Sequence, residues 1–159
     1  MTAQPAIAGD ALRSAMACFA TGVVVVTAAA PDGPVGMAVN SFVSVSLEPP
    51  LVMFCAANTS TTWPAISAAG HFCANVLSAG QEELARQFAR KGDRFAGVVH
   101  RPGVTGAPVL RAVHAHLECE IVDTHEAGDH TLVIGRVLDL GTDHQALPLL
   151  FYRSSYRLF

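Results

Sequence analysis

Four β-branched residues in succession, Val23-Val24-Val25-Val26, followed by Thr27, constrain this chain more than any other stretch. Side chains branched at Cβ lose freedom in a helix and pack well on a pleated surface, so the run predicts a strand buried on both faces. Pro31-Asp32-Gly33-Pro34 follows as a tight turn, and a strand over 35–47 returns antiparallel from it. Pro49-Pro50 stops that strand, and 51–57 reads as the next. Further strands are expected over 72–77, 113–121, 131–140, 149–152 and 156–159. The turn Glu126-Ala127-Gly128-Asp129 makes a hairpin of two of them.

Helices are few and short. Asp10 is placed to cap a first one, with Leu12, Met16 and Phe19 at helical spacing and Gly22 as its stop. Pro64 suits a first helical position and Gly70 an exit. Ser78-Ala79-Gly80-Gln81 has capping-box spacing ahead of a helix over 81–90, which buries Leu84 and Phe88. Residues 91–111, rich in Gly, Pro and charge, read as a long loop with short ordered pieces, and such loops are often functional. Many strands without βαβ alternation predict a mainly β protein, an antiparallel barrel decorated by a few short helices. One domain is expected over 1–159, with a flexible N-terminus at 1–9.

Hydrophobic residues make up 51% of the chain and charged residues 14%, which predicts that part of the surface is covered by a second subunit. The net charge is −3, there is no basic run, and Lys91 is the only lysine, so no nucleic-acid partner is expected. No apolar run reaches the length of a membrane span, and Met1 to Gly9 lacks the basic residues of a secretory signal, so a cytoplasmic protein is expected. Cys18, Cys55, Cys73 and Cys119 form no CxxC pair and sit among apolar neighbours, as buried free thiols do.

Several groups carry chemistry. Asn40, Ser41, Ser44 and Ser46 interrupt an apolar strand with amide and hydroxyl groups that would suit a planar, polar-edged ligand. Asn58, Ser60, Thr61 and Thr62 precede a helix start, where hydroxyls and free N–H groups either receive a phosphate or simply cap the helix. Ala89, Arg90 and Lys91 end another helix, where a cation also serves the helix dipole. His130 sits at a tight turn. Over 113–121 the residues alternate, with His114, His116, Glu118 and Glu120 on the face assigned to solvent. Two histidines at i, i+2 suggest zinc only with a third and fourth ligand, which no spacing supplies, and no metal is expected. Gly-x-Gly-x-x-Gly, a Walker motif and a nucleophile elbow are absent.

An ordered series of short motifs resembles the flavin reductase family. It runs from Phe19-Ala20-Thr21-Gly22-Val23 through Asn40-Ser41-Phe42, Ser44-Val45-Ser46-Leu47-Glu48-Pro49-Pro50 and Ser60-Thr61-Thr62. It continues with Leu84-Ala85, Phe88-Ala89, Asp93-Arg94-Phe95, Leu117-Glu118-Cys119, Gly128-Asp129-His130, Gly135-Arg136-Val137 and Tyr152-Arg153. The resemblance implies a split β-barrel that binds FMN or FAD as a homodimer. It implies a hydride passed from NADH or NADPH to the flavin, and reduced flavin released by diffusion to a flavin-dependent monooxygenase. It places Asn40, Ser41 and Phe42 at the isoalloxazine edge, with Ser44, Val45 and Ser46 on the same strand. It assigns Asn58, Ser60, Thr61 and Thr62 to a phosphate site and brings the end of the helix, through Arg90 or Lys91, to the phosphate or ribityl chain, with Ala57, Ala89 and Phe95 as further cofactor contacts. His130 would position the nicotinamide, while Tyr152 and Tyr156 are either cofactor, core or dimer contacts. Many relatives carry threonine where this chain has Ala38, a departure that removes one hydroxyl. The alternatives are a flavin carrier without turnover and an oxidoreductase with tightly held flavin on the same barrel.

Overall fold

The computed structural model describes residues 7–159. Of the stretch 1–9, residues 1–6 lie outside the described residues, and Gly9 already opens a helix. The first half of the chain contains α1 (Gly9–Met16), β1 (Thr21–Gly22), β2 (Val24–Ala30), β3 (Gly33–Val39), β4 (Val43–Leu47), β5 (Pro50–Ala57), α2 (Trp63–Ala69) and β6 (His71–Val76). The second half contains α3 (Glu82–Ala89), β7 (His100–Pro102), β8 (Pro108–Leu110), β9 (Ala115–Ala127), β10 (His130–Thr142), β11 (Leu149–Tyr152) and β12 (Ser155–Leu158).

Seven strands form one antiparallel sheet in the order β3-β2-β6-β9-β10-β5-β4. Its two edges, β3 and β4, are consecutive in the chain and separated only by Asn40, Ser41 and Phe42. Laid flat, seven strands would hold these edges roughly 29 Å apart, but residues 39 to 43 span at most about 14 Å. The sheet therefore curls until its edges meet, and the fold is a split β-barrel, open where the chain passes from one edge to the other. The expected single strand over 35–47 is thus corrected to two strands on opposite edges. The polar residues that interrupt its apolar pattern mark that crossing.

Val23, Val24, Val25 and Val26 are all buried, as the β-branched run requires. The barrel interior is filled by Val24, Val26, Phe54, Ile66, Phe72 and Val133, with Phe54 edge-on to Phe72 at 5.2 Å between ring centroids. A second cluster, around Val25, Leu77, Phe88 and Leu149, seats α3 and β11 against the outer face of β2.

Other expectations change in detail. α1 ends at Met16, not near Gly22, which belongs to β1; its N-cap is Ala8, and Asp10 pairs with Arg13 at 3.1 Å. It buries none of its residues. The capping box before α3 is half made: the Gln81 side chain accepts from Ser78 N–H at 2.9 Å, but the Ser78 hydroxyl donates to the Ala112 carbonyl. Cys18 is exposed and Cys55 half-buried, leaving only Cys73 and Cys119 buried as expected; burial pushes the Cys119 thiol up to about 12.

The segment 91–111 contains the β7–β8 hairpin, and buried polar groups fasten it. Asn75 Nδ2 donates to the Val25 carbonyl and the Thr27 hydroxyl, both at 3.1 Å, and its Oδ1 accepts from Leu110 N–H at 2.8 Å. The Thr27 hydroxyl donates to the Pro108 carbonyl. Because Asn75 is fully buried, replacing it by Ala leaves these partners unpaired. We expect a cost of about 2 kcal/mol, measurable as a lower urea midpoint at unchanged slope.

Candidate active site

The open seam of the barrel is lined by a groove. Its central cavity, about 380 Å³, runs along the backbone of residues 37–41 and is walled by Cys55, Ala57, Thr59, Ser60, Phe88, Ala89, Arg94 and His130. Through Arg94 it continues into a cavity of about 370 Å³ lined by Thr61, Thr62, Lys91, Asp93 and Phe95. Through Ala38, Val39, Asn40 and Ala89 it joins a smaller space beside Phe151 and Tyr156. Asn40 and Ser41 also border a third extension, beside Tyr152 and Arg153.

Asn40 stands where three of these cavities meet, and its side-chain amide bonds to no described residue. Ser41 is committed elsewhere. Its hydroxyl accepts from Cys55 N–H at 2.9 Å and donates to the Cys55 carbonyl at 3.4 Å, pinning the crossing segment to β5. The Phe42 ring packs against the barrel core, not along the groove. Ser44, Val45 and Ser46 lie on the edge strand β4 and line none of these cavities. The crossing turns the chain, so residues adjacent in sequence part company there.

Around the helix start, Thr61 and Thr62 reach the groove, and Ser60 both lines it and caps α2. Its hydroxyl accepts from Thr62 and Trp63 N–H, each at 3.2 Å. Asn58 lines none of these cavities. It ties the end of β5 to the β9–β10 turn, its N–H donating to the Asp129 carbonyl at 2.9 Å and its Oδ1 accepting from the Thr131 hydroxyl at 3.0 Å. That turn places His130 opposite Ala57, inside the groove. His130 Nδ1 lies 2.7 Å from Asp129 Oδ1, which fixes the ring and leaves Nε2 free. The hydrogen bond to His130 holds the Asp129 carboxyl below its ordinary value.

The principal cation of the groove is Arg94, a residue the sequence reading quoted only as part of a motif. Arg94 Nη1 donates to the Gly36 carbonyl at 2.8 Å and the Thr62 hydroxyl at 2.7 Å, and Nε to the Arg90 carbonyl at 2.6 Å. Nη2 is left without a partner among the described residues. Arg90 itself lines none of these cavities, while Lys91 lines the same one as Thr61 and Thr62. Phe95 packs edge-on to Phe88 at 5.0 Å. Tyr152 and Tyr156 border different extensions of the groove, and the Tyr156 ring lies 4.8 Å from the Arg86 guanidinium.

The face of β9 assigned to solvent is not uniformly solvated. Glu118 is fully buried beneath the turn before β8, its carboxylate accepting from Val104 N–H at 3.0 Å and from Thr105 N–H and hydroxyl at 2.9 Å each. The bulge at Leu138 brings Asp139 opposite it, so that ligand atoms of His116, Glu118 and Asp139 lie within 4.8 Å of one another. Asp139 is the third group that spacing did not supply. Arg101 Nη2 stands 3.5 Å from His116 Nε2, however, and the Glu118 oxygens already hold three donors.

Residues 16–159 match the family described as flavin reductase like domain. A flavin reductase of Pseudomonas putida is 47% identical over 146 residues, 91% of this chain and 86% of that protein. HsaB, the reductase subunit of a flavin-dependent monooxygenase from Mycobacterium tuberculosis, is 42% identical over 147 residues, 91% of this chain and 79% of that one. The solved structure of the NADH:FAD oxidoreductase SgcE6 from Streptomyces globisporus C-1027 superposes with a TM-score of 0.91 at 38% identity, covering 100% of this chain and 99% of that one. The chain belongs to the flavin reductase family.

Proposed function

We propose that flavin and reduced nicotinamide meet in the groove at the barrel seam, with the isoalloxazine ring along residues 37–41. The protein is an NAD(P)H-dependent flavin reductase that supplies reduced flavin to a partner monooxygenase. The free amide of Asn40, where three cavities meet, carries the assignment of the ring site. A ring edge with alternating donors and acceptors calls for such an amide.

Bound flavin supplies the hydride acceptor, chemistry that no side chain here provides. The chain contributes position. Met37, Val39 and Phe88 wall the central cavity and exclude water from one side of the ring. Arg94, Lys91 and the hydroxyls of Thr61 and Thr62 receive the first phosphate, which FMN and FAD share. His130, steadied by Asp129, orients the nicotinamide of NADH or NADPH from the opposite wall. Holding the two reacting atoms about 3–3.5 Å apart is most of the catalysis, so no strong acid or base is required.

The groove is open along its length, and Ala38 brings no hydroxyl to it. These features favour a flavin that arrives and leaves over one held permanently or merely stored. We place the working unit as one domain in a homodimer. The low charge of the chain supports this, as do apolar side chains left exposed on the two strands that flank β5: Val43, Val45 and Leu47 on β4, and Leu138 and Leu140 on β10.

Two measurements test the site. Asn40→Ala is expected to weaken FMN binding about tenfold, the worth of one or two well-made hydrogen bonds, in a fluorescence titration. Unchanged affinity would place the ring elsewhere. His130→Ala is expected to raise the KM for NADH about tenfold while that for FMN stays put. Equal changes in both would remove the nicotinamide role of His130.

A further inference from the structure

The far end of the segment 91–111 encloses a cavity of about 440 Å³ beside the β7–β8 hairpin, closed by His116 of β9 and by Asp143. It shares no residue with the groove or its extensions. The His100 ring divides the two. It lines the cavity and stands edge-on to Phe95 at 5.4 Å, and Phe95 lines the phosphate end of the groove.

Positive charge gathers in this cavity, in a chain whose net charge is −3. Arg101 and Arg111 line it, together with His100 and His116. Arg101 lies opposite Val109, and Arg111 N–H donates to the Val99 carbonyl at 3.0 Å, so both arginines project from the same face of the hairpin. Arg13, Arg86 and Arg136 each pair with a carboxylate, whereas Arg101 and Arg111 pair with none among the described residues. Arg101 reaches only the Pro102 carbonyl at 3.3 Å and His116 Nε2 at 3.5 Å. The Arg111 guanidinium bonds no described residue, but the backbone that carries it is strapped down. The Arg111 carbonyl accepts from the Gln81 amide at 2.8 Å, and the Ala112 carbonyl accepts from the Ser78 hydroxyl at 2.9 Å. These bonds hold Ala112 left-handed, at a φ of 59°, a strain that persists only where its surroundings enforce it. The one carboxylate on the wall, that of Asp143, accepts from Gln145 N–H at 3.0 Å. Val99, Val109, Leu110 and Val113 make the wall otherwise apolar.

We propose that this cavity binds a small organic carboxylate, its charged end at Arg101 and Arg111 and its body against the apolar wall. Two guanidiniums without carboxylate partners call for an anion, and their planar forks match a carboxylate. A bare inorganic anion would leave most of the space and the apolar wall unused. The carboxylate is a second ligand, neither flavin nor nicotinamide, and it binds whether or not the groove is filled.

Benzoate is the probe, titrated calorimetrically into the intact protein with and without FMN. Benzyl alcohol serves as its uncharged counterpart and inorganic phosphate as the bare anion. We expect saturable benzoate binding that FMN does not displace, no measurable binding of the alcohol, and phosphate bound about tenfold more weakly. Arg111→Gln removes a guanidinium that holds no part of the fold, and should weaken benzoate about tenfold with the thermal midpoint unchanged. Arg111→Lys should lose less, since it keeps the charge without the fork. Absence of benzoate binding, its displacement by FMN, an unchanged affinity in Arg111→Gln, or phosphate bound as tightly as benzoate would each overturn the inference. A short polyglutamate peptide that binds more tightly than benzoate would also overturn it, making this face a docking surface for an acidic protein.

Discussion

Glu118→Ala is expected to lower the midpoint of thermal unfolding by roughly 10 °C, the equivalent of about 3 kcal/mol at this chain length. The carboxylate is fully buried and holds two backbone N–H groups and one hydroxyl of the turn at 104–105. Removing it leaves those donors unpaired and a void beneath the β7–β8 hairpin. The fit is close enough that a Cβ at Gly103 would overlap the Glu118 carboxylate, so Gly103→Ala should destabilise through the same contact. Burial pushes the Glu118 carboxyl up, but the amides of Thr105 and Val104 and the Thr105 hydroxyl, with His116 nearby, bring it below its ordinary value of 4.5. A carboxyl lower in the folded than in the unfolded chain stabilises fully above the unfolded value. That contribution is lost as pH falls through the folded one. The difference in stability between wild type and Glu118→Gln should therefore shrink as pH drops below about 4.5. A difference that stays constant from pH 7 to pH 3 would assign the anchor to shape alone.

Arg94→Met is expected to weaken FMN binding about a hundredfold, while riboflavin, which lacks the phosphate, loses far less. Three of the donors of Arg94 bonds are spent on Gly36, Thr62 and Arg90, so the side chain both joins β3 to the start of α2 and presents its remaining nitrogen to the groove. Lysine offers one charged centre in place of the planar fork and cannot make all of these bonds, so Arg94→Lys should rescue little. Isothermal titration with FMN and riboflavin separates the two contributions. Equal losses for both ligands would mean that Arg94 shapes the groove without meeting a phosphate.

Local pattern made much of this fold legible. The valine run, the turn at Pro31 to Pro34 and the hairpin at Gly128-Asp129 correctly predict β2, its return and the β9–β10 pair, because turn chemistry and side-chain branching act over a few residues. The crossing at Asn40 to Phe42 escapes such reading. Whether an extended segment continues one strand or joins two is decided by sheet closure, a property of all seven strands together. The same limit explains Glu118: alternation along β9 assigns it a face, but the hairpin that covers that face lies at residues 100–110.

The site divides along the same line. Asn40, Ala57, Ser60, Ala89 and His130, far apart in sequence, do converge on one cavity. Ser44, Val45, Ser46 and Arg90 do not line it, and Phe42 turns into the core. Arg94, three residues beyond the cations expected at the end of α3, is brought back by the bond from its Nε to the Arg90 carbonyl. Asp93 accepting from Phe95 N–H at 3.0 Å shapes the bend that allows it, and an Asp two residues ahead of an aromatic was the available signal.

Oxidation of NADH and NADPH followed at 340 nm, on dialysed protein with and without added FMN or FAD, tests the whole reading. Saturable oxidation that requires added flavin is the predicted result, since the open groove releases flavin on dialysis and its residues position a hydride transfer they cannot themselves accept. Protein that stays yellow and oxidises NADH without added flavin would contradict the shuttle. Protein that binds FMN yet oxidises neither nucleotide would contradict the reductase itself.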